Sequence, residues 1–154
     1  MDRCPALLAG KDAVRLALIA QSHLRLTGRS LIDNDADPAD ALWAAPAVIV
    51  AHDTAADPIF FFGNARALAL FETTPEQFTA MPSRLSAEAE LREERARLMA
   101  RVTRDGFIDD YSGIRVSATG RRFRIHRATV WNLTDTAGVL HGQAATFSEW
   151  TMLP

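Results

Sequence analysis

The sequence predicts an α+β domain, in which a mostly helical first half precedes a sheet of long antiparallel strands. The last third, from Gly106 to Phe147, is rich in β-branched and aromatic residues and is divided by two short turns, which predicts three strands. The charged stretch before it has helical spacing. Strands that follow helices in this way favour one sheet with helices packed on one side.

The composition fits one globular domain without a membrane span. The chain has 154 residues, of which 48% are apolar and 23% charged, enough for a buried core. The net charge is −2, and no apolar stretch approaches the roughly 20 residues that cross a bilayer. We therefore expect a cytoplasmic protein. Cys4 is the only cysteine, so we expect neither an intramolecular disulfide nor a zinc site, and its place near the N-terminus argues against a catalytic thiol.

The first predicted helix runs from Asp12 to Thr27, and Gly28 ends it. Apolar side chains cover more than half of its circumference, whereas a helix that packs on one core needs a single apolar stripe. Burial on two sides is therefore expected, either by a partner subunit or by other segments of the same chain. The candidate contacts of a homodimer are Val14, Leu18, Ile19 and Leu24.

An acidic loop and a short helix follow. The loop, residues 31–37, carries Asp and Asn side chains but lacks the glycine and the terminal glutamate of a calcium loop, so it is interpreted as solvated. Asp37 and Pro38 provide a cap and a first helical residue, and the short helix stops before Pro46.

A hairpin is predicted next, with strands at residues 47–52 and 59–62. Alternation along the second strand sends Phe60 and Phe62 to one face and Phe61 to the other. Both faces of this strand must therefore be covered by other parts of the chain.

Three helices are predicted between the hairpin and the final strands. Asn64 caps the first, and Thr74-Pro75-Glu76-Gln77 forms a capping box that starts the second. The third, residues 86–105, is charged. Its ion pairs at helical spacing are Glu88 with Arg92 and Glu93 with Arg97, and its narrow apolar stripe is Leu91, Leu98 and Val102.

The middle strand of the last third alternates in character. Odd-numbered residues from 123 to 133 are expected on one face and even-numbered residues on the other. With a turn centred on residues 136 and 137, His141 lies opposite Asn132 and His126 opposite Phe147. These two histidines are then too far apart to share a metal.

The order of these elements resembles that of a PAS domain. More narrowly, the chain resembles the bacterial stand-alone form of the MEKHLA family, a PAS-related group that also occurs in plant homeodomain-leucine zipper regulators. The motifs that carry the resemblance are Leu26-Thr27-Gly28-Arg29-Ser30-Leu31, Phe62-Gly63-Asn64, Pro82-Ser83-Arg84-Leu85-Ser86-Ala87-Glu88, Arg92-Glu93-Glu94-Arg95-Ala96, Gly106-Phe107-Ile108-Asp109-Asp110-Tyr111-Ser112-Gly113, Gly120-Arg121-Arg122-Phe123-Arg124-Ile125, Ala128-Thr129-Val130-Trp131-Asn132 and Gly142-Gln143-Ala144-Ala145. The six-residue word that names the family is absent, and so are the DNA-binding parts of the plant regulators.

The resemblance implies a five-stranded antiparallel sheet flanked by short helices, with the first two strands in the middle beside the last. It divides the chain into an N-terminal helical extension, residues 1–45, and a PAS-like core, residues 46–150. It also implies a sensory or regulatory module that binds a small molecule or a protein partner. The chain carries no kinase, cyclase or DNA-binding sequence, so the signal is expected to leave through a noncovalent partner or a homodimer.

A ligand pocket in such a fold lies between the sheet and the short helices. Tyr111, Gln143 and Thr146 are expected to supply its polar groups, although all of the candidates could equally fill an ordinary core. The candidate lining residues are Phe61, Phe71, Met81, Leu85, Leu98, Ile108, Tyr111, Trp131, Gln143 and Thr146.

No cofactor is specified by the sequence. A flavin photosensor forms its adduct through a cysteine in the helical segment, and residues 81–88 contain none, which leaves only noncovalent flavin open. A haem sensor needs an axial ligand, and the candidates are His23, His52, His126 and His141. Surface or core roles are favoured for all four.

Other functions are less favoured. A small enzyme or carrier with a cone-shaped α+β fold and an internal pocket is the alternative, but Asp109 and Asp110 point to opposite faces of a strand, and His52-Asp53 lacks any catalytic signature. No catalytic or metal-binding residue is therefore predicted, and the order of strands is the discriminating observation. Arginines cluster on one hairpin, but their alternation and the negative net charge argue against nucleic-acid binding.

Overall fold

The computed structural model describes residues 3–9, 13–33, 37–87 and 92–154. The centre of the acidic loop, the predicted pair of Glu88 with Arg92, and Leu91 lie outside the part whose side chains are described. The helices are α1 (Ala6–Ala9), α2 (Ala13–Thr27), α3 (Pro38–Ala44), α4 (Ala65–Phe71), α5 (Pro75–Phe78) and α6 (Arg92–Asp105). None of the described helices is long and apolar enough to cross a membrane.

The strands form one antiparallel sheet in the order β2-β1-β5-β4-β3. Their bounds are β1 (Val48–His52), β2 (Phe60–Gly63), β3 (Phe107–Val116), β4 (Arg122–Thr134), β5 (Leu140–Phe147) and β6 (Glu149–Met152). The predicted α+β architecture is confirmed, with three corrections. Helices pack on both faces of the sheet and not on one side only. The additional strand β6 continues β5 beyond Ser148 and pairs with the first half of β4, and β2 lies at the edge of the sheet while β1 lies beside β5.

Local capping chemistry explains where several helices begin. The side chain of Thr74 accepts a hydrogen bond from the Gln77 amide, and the Gln77 side chain accepts one from the Thr74 amide, so the predicted capping box is present. The predicted helix over residues 86–105 begins too early. Ser83–Ser86 form a 3₁₀ helix, and Ala87 is extended and bridges to Arg115 on β3.

Asn64 joins the first hairpin to α3 and α4. Its side chain is fully buried, and Oδ1 accepts hydrogen bonds from the amides of Ile49 (3.1 Å) and Ala67 (3.0 Å). Nδ2 donates to the carbonyls of Leu42 (3.1 Å) and Ala47 (2.7 Å). One amide thus satisfies four backbone groups, which fixes the start of α4 against the end of α3.

The alternation predicted for β4 is interrupted at Arg127, whose φ of 51° is rare for a residue with a side chain. Phe123 and Ile125 pack in the same core cluster as Ala128, whereas Trp131 packs on the opposite face. Odd-numbered residues before Arg127 and even-numbered residues after it therefore point to the same face of the sheet, as expected of a β-bulge.

The register of β4 with β5 and β6 also differs from prediction. Asn132 pairs with Gln143 and His126 with Glu149, two residues away from the predicted partners on β5 and β6. The physical cause lies in the turn. The Asp135 amide donates to the Val139 carbonyl, and the ladder slips between Leu133 and Thr134, so the closing turn is longer than a two-residue hairpin.

The two faces of the sheet have separate cores. We call the face covered by α4 and α6 the inner face, and the face covered by α2 the outer face. Phe60 packs in the inner core, whereas Phe61 and Phe62 both pack in the outer core. The predicted alternation is wrong for Phe62, because the pairing of β1 with β2 shifts between Ala51 and His52.

The helix α2 is part of the outer core. Leu18 is 5% exposed and Ile19 is fully buried, and the Trp131 indole Nε1 donates a hydrogen bond to the Ile19 carbonyl at 3.1 Å. The Ser22 hydroxyl also donates to the Thr134 carbonyl at 3.2 Å. The second apolar side of α2 is therefore covered largely by the same chain.

Candidate ligand cavity

A cavity of about 50 Å³ lies on the inner face, between the sheet and the helices α4 and α6. Every strand of the main sheet contributes to its wall, which is mostly apolar. The lining residues are Val50, Ala51, His52, Phe60, Phe71, Ser86, Leu98, Met99, Tyr111, Arg115, Ile125, Val130, Gln143, Ala144, Ala145 and Phe147.

Four of the ten predicted lining residues meet at this cavity. Phe71 comes from α4, Leu98 from α6, Tyr111 from β3 and Gln143 from β5. Ile108 is buried beside the cavity, where it packs against Leu98 without lining the wall.

The other five predicted residues lie elsewhere. Phe61 and Trp131 pack in the outer core. Phe61 alternates with Phe60, which lines the cavity in its place, and the bulge in β4 turns Trp131 away. Thr146 does not line the cavity, and its hydroxyl is buried without a hydrogen-bond partner among the described residues. Met81 packs against the inner core from outside, and Leu85 is 47% exposed on the 3₁₀ helix.

Arg115 is the charged residue that the sequence interpretation did not assign to the cavity. It lies on β3 with its guanidinium carbon 5.1 Å from the centre of the Tyr111 ring, and Nη1 donates to the Ile114 carbonyl at 3.4 Å. Among the described residues, no carboxylate forms an ion pair with it. Burial lowers the pKa of this guanidinium, which the neighbouring Tyr111 partly opposes. Residues 111, 113 and 115 share one parity along β3, and this is the sequence pattern that could have placed Arg115 on the same face as Tyr111.

Gln143 is held by a chain of side-chain and backbone amides. The Asn132 Nδ2 donates to the Val102 carbonyl at 3.1 Å, and the Gln143 Nε2 donates to the Asn132 Oδ1 at 2.9 Å. The Gln143 side chain is 8% exposed, and its Oε1 is buried with no hydrogen-bond partner among the described residues. The cavity wall therefore contains an unsatisfied acceptor, which is uncommon in folded proteins.

A shallower groove of about 240 Å³ adjoins the cavity, because His52, Met99 and Gln143 line both. The groove is otherwise formed by the loop after β1 and the start of β5. Gly142 makes this junction sterically feasible. Its φ is 149°, and a Cβ at this position would overlap the His52 carbonyl oxygen.

The volume of the cavity limits what it can hold. One water needs about 10–15 Å³ measured in this way, so about 50 Å³ admits only a few non-hydrogen atoms. Pockets for drug-sized ligands run from roughly 300 to 1,000 Å³. The cavity as it stands does not fit a flavin or a haem.

The single thiol and three of the four histidines are engaged in contacts outside the cavity, whereas the fourth, His52, lines its wall. Cys4 is buried near α3, and burial raises the pKa of its thiol to about 11. His23 is buried under Trp131, His126 contacts Thr151, and His141 lies 2.9 Å from the Asp135 carboxylate. Within the described residues, no group of three or more His, Cys, Asp or Glu side chains is placed to hold a metal ion.

The predicted dimer contacts divide into two pairs. Leu18 and Ile19 are occupied by the outer core of their own chain. Val14 and Leu24 remain 72% and 40% exposed. Only the second pair is free to contact another molecule.

A sheet in the order β2-β1-β5-β4-β3, with short helices over a cavity on one face, defines a PAS-type domain. The fold predicted from the sequence is thus confirmed, and the cone-shaped alternative is not the observed fold. The model of the MEKHLA domain matches residues 13–152. The chain therefore belongs to the MEKHLA domain family, as its sequence motifs suggested.

Solved structures with the same fold are distant in sequence. A PAS domain from Colwellia psychrerythraea is 15% identical, with a TM-score of 0.60, over 69% of this chain and 87% of that chain. A light-oxygen-voltage domain is 14% identical, with a TM-score of 0.60, over 78% and 87%. A PAS domain in complex with ethanol, from a LuxR-family transcriptional regulator of Burkholderia thailandensis, is 21% identical, with a TM-score of 0.55, over 75% and 96%. These likenesses show the fold alone. No curated protein matches the chain significantly.

Proposed function

We propose that this chain is a sensory or regulatory module that binds a small molecule in the inner cavity and signals through noncovalent association. The observation that carries the proposal is the cavity itself, an apolar space with the unsatisfied Gln143 oxygen and the half-buried Arg115 in its wall. Ligand sites in proteins combine an apolar wall with a few directed polar groups in this way. The binding of ethanol by one distant PAS domain supports a ligand of similarly small size.

Residues 46–150 would form the sensory core, and residues 1–45 an extension that covers its outer face. Because α2 packs on β4 and β5 runs beside β4, a change in the sheet can reach α2 through shared contacts. We propose a homodimer that forms through the exposed Val14 and Leu24. A regulatory protein bound to the same surface is the other partner to test.

We further propose that the module is cytoplasmic, is not an enzyme and does not bind nucleic acid. In support, the cavity wall contains neither a carboxylate nor a cysteine among the described residues, and the net charge is −2. His52 and Ser86 also line the wall, but their described hydrogen bonds go to the backbone carbonyls of Asp53 and Ser83. An enzyme of this kind would be expected to join a nucleophile and its base to each other.

The test compares the natural chain with a variant whose cavity is filled. Ala145 lines the cavity, and Ala145→Leu adds three carbons to that space. Thr146→Val is the control, since it lies on the same strand and outside the cavity. Native mass spectrometry and a fragment screen by ¹H–¹⁵N NMR are expected to detect binding to the natural chain and to the control, and not to Ala145→Leu. Binding to all three proteins, or to none, would contradict the proposal.

The dimer is tested separately by light scattering after size exclusion. Val14→Glu and Leu24→Glu are each expected to shift the mass from dimer to monomer, because each places a charge on an exposed apolar contact. A mass that does not change in either variant, or a natural chain that is monomeric at 100 μM, contradicts the dimer without affecting the ligand proposal.

A further inference from the structure

The orientation of the Gln143 side-chain amide is fixed by residues outside the cavity. A backbone carbonyl can only accept a hydrogen bond, so the carbonyl of Val102 requires the Nδ2 of Asn132 to face it. Oδ1 of Asn132 then faces Gln143 and requires its Nε2. The remaining atom, Oε1, can only accept. Helix α6 thus determines that this position of the wall offers an acceptor.

Leaving that acceptor unpaired is costly. Burial of an amide oxygen without a hydrogen bond opposes folding, and native proteins normally supply a partner from protein, water or ligand. The Gln143 side chain lines both the cavity and the adjoining groove, so a partner can arrive from either compartment. The missing partner must carry a donor, such as O–H or N–H.

The surroundings restrict the rest of the partner. The wall near Gln143 is formed by Met99, Ala144 and Ala145, which favour an apolar body. An ammonium group would lose its hydration without a carboxylate from the described wall, and a carboxylate would face the partial negative charge of Oε1. Arg115 does not make a carboxylate ligand favourable at Gln143. It pairs with Phe123 near the start of β4, whereas Gln143 pairs with Asn132 near its end, so the two lie toward opposite ends of the cavity.

We propose that the cavity selects a small, uncharged, largely apolar ligand that donates one hydrogen bond to Oε1 of Gln143, as a short-chain alcohol or a primary amide does. The apolar part occupies the cavity of about 50 Å³, and any longer substituent extends into the groove. This inference rests on the proposed function, since it specifies the ligand of the same cavity. It assigns Gln143 as the specificity-determining residue and Asn132 as the residue that positions it.

The test uses two isomers of equal composition. 1-Butanol has a hydroxyl donor, whereas methyl propyl ether has an acceptor only. Each is titrated into the ¹⁵N-labelled full chain, and the amide shifts of residues 143–145 give the dissociation constant. Because a neutral hydrogen bond contributes about 0.5–1.5 kcal/mol, 1-butanol is expected to bind roughly two- to twelvefold more tightly. Butyrate and butylammonium are expected to bind more weakly than 1-butanol.

Two variants identify the residue responsible. Gln143→Met keeps the length of the side chain but removes the amide acceptor, so the preference for 1-butanol should fall to about onefold. Asn132→Leu frees the Gln143 amide to rotate and present Nε2 to the ether. The preference for 1-butanol over the ether should therefore also decrease in this variant. Thr146→Val, on the same strand but outside the cavity, should keep the full preference.

The outcomes separate the two proposals. Equal binding of the isomers to the natural chain, or tightest binding of butyrate, would overturn the ligand class and leave the proposed function standing. Full preference retained in Gln143→Met would overturn the role of Gln143. If none of the four compounds shifts the amides of residues 143–145, both the ligand class and small-molecule binding by this cavity are overturned.

Discussion

Replacing Ile19 with alanine tests whether α2 belongs to the core of its own chain. The side chain is fully buried in the outer core, and the substitution removes three carbons. At about 0.8 kcal/mol for each buried carbon the lost transfer free energy is about 2.4 kcal/mol, and the space left behind adds about 1 kcal/mol. Alanine regains about 0.4 kcal/mol through its helix propensity. We therefore expect the free energy of unfolding to fall by about 3 kcal/mol.

The control is Val14→Ala, on the same helix. Val14 is 72% exposed in a single chain and belongs to the proposed dimer contact, so the neutral result is expected of the dilute, monomeric protein. There its truncation creates no cavity, and the better helix propensity of alanine offsets the small loss of contacts. We expect a change within about 0.5 kcal/mol. Urea unfolding of both variants gives the comparison. With a slope of about 2 kcal/mol per molar urea, Ile19→Ala should lower the midpoint by about 1.5 M.

The protein concentration distinguishes burial within one chain from burial by a partner. Unfolding coupled to dissociation of a dimer shifts its midpoint with concentration, whereas packing within a chain does not. Both variants should therefore be measured at two concentrations that differ tenfold. Our interpretation of α2 is refuted if Ile19→Ala costs no more than 1 kcal/mol beyond Val14→Ala, or if the difference between them disappears at high dilution.

Three other substitutions test local features. Gly142→Ala should destabilise the chain by more than 2 kcal/mol in thermal unfolding, because its Cβ would meet a backbone carbonyl, whereas Gly138→Ala, with φ of 82° and open space, should cost about 1 kcal/mol. Asn64→Ala leaves four backbone groups without their partner and should cost about 4 kcal/mol in urea unfolding, against about 1 kcal/mol for the cap variant Thr74→Ala. Burial lowers the pKa of His23 below its ordinary 6.5. The folded state then binds fewer protons than the unfolded state, so stability should fall as the pH drops below about 6.5, and His23→Gln should reduce that slope between pH 7 and 5.

Each of these three has a result that would count against it. Equal costs for the two glycine variants would mean that the close approach of β1 and β5 relaxes easily. A cost near 1 kcal/mol for Asn64→Ala would mean that water replaces the amide. An unchanged pH slope in His23→Gln would assign the acid sensitivity to other groups.

Features set by neighbouring residues could be predicted from the sequence. The Thr74 capping box, the Asn64 cap and the turn at Gly120, where φ is 89°, each depend on a few residues in contact along the chain. The order of elements was sufficient to indicate the fold, because the helix and strand patterns of most segments are strong.

Features set by the tertiary structure could not be predicted. Arg127 adopts φ of 51° although nothing adjacent to it favours that conformation, and the change of face it causes misdirected the prediction for Trp131. Arg115 was not assigned to the cavity from the sequence, since its side chain lines the wall only where the helices pack on the sheet. The orientation of the unsatisfied Gln143 oxygen depends on two residues that are distant along the chain. Asn132 lies 11 residues earlier on the neighbouring strand, and Val102 lies on the helix α6.

The strand order also has a consequence for how the chain folds during its synthesis. Val48 on β1 pairs with Phe147 on β5, about a hundred residues later. The first hairpin therefore leaves the ribosome long before β5, the strand that pairs with β1, has been synthesised. Until β5 emerges, β1 presents an unpaired backbone edge of apolar residues, which is the kind of surface that promotes aggregation. Nascent chains stalled before residue 140 should therefore depend on chaperones far more than chains stalled after residue 152.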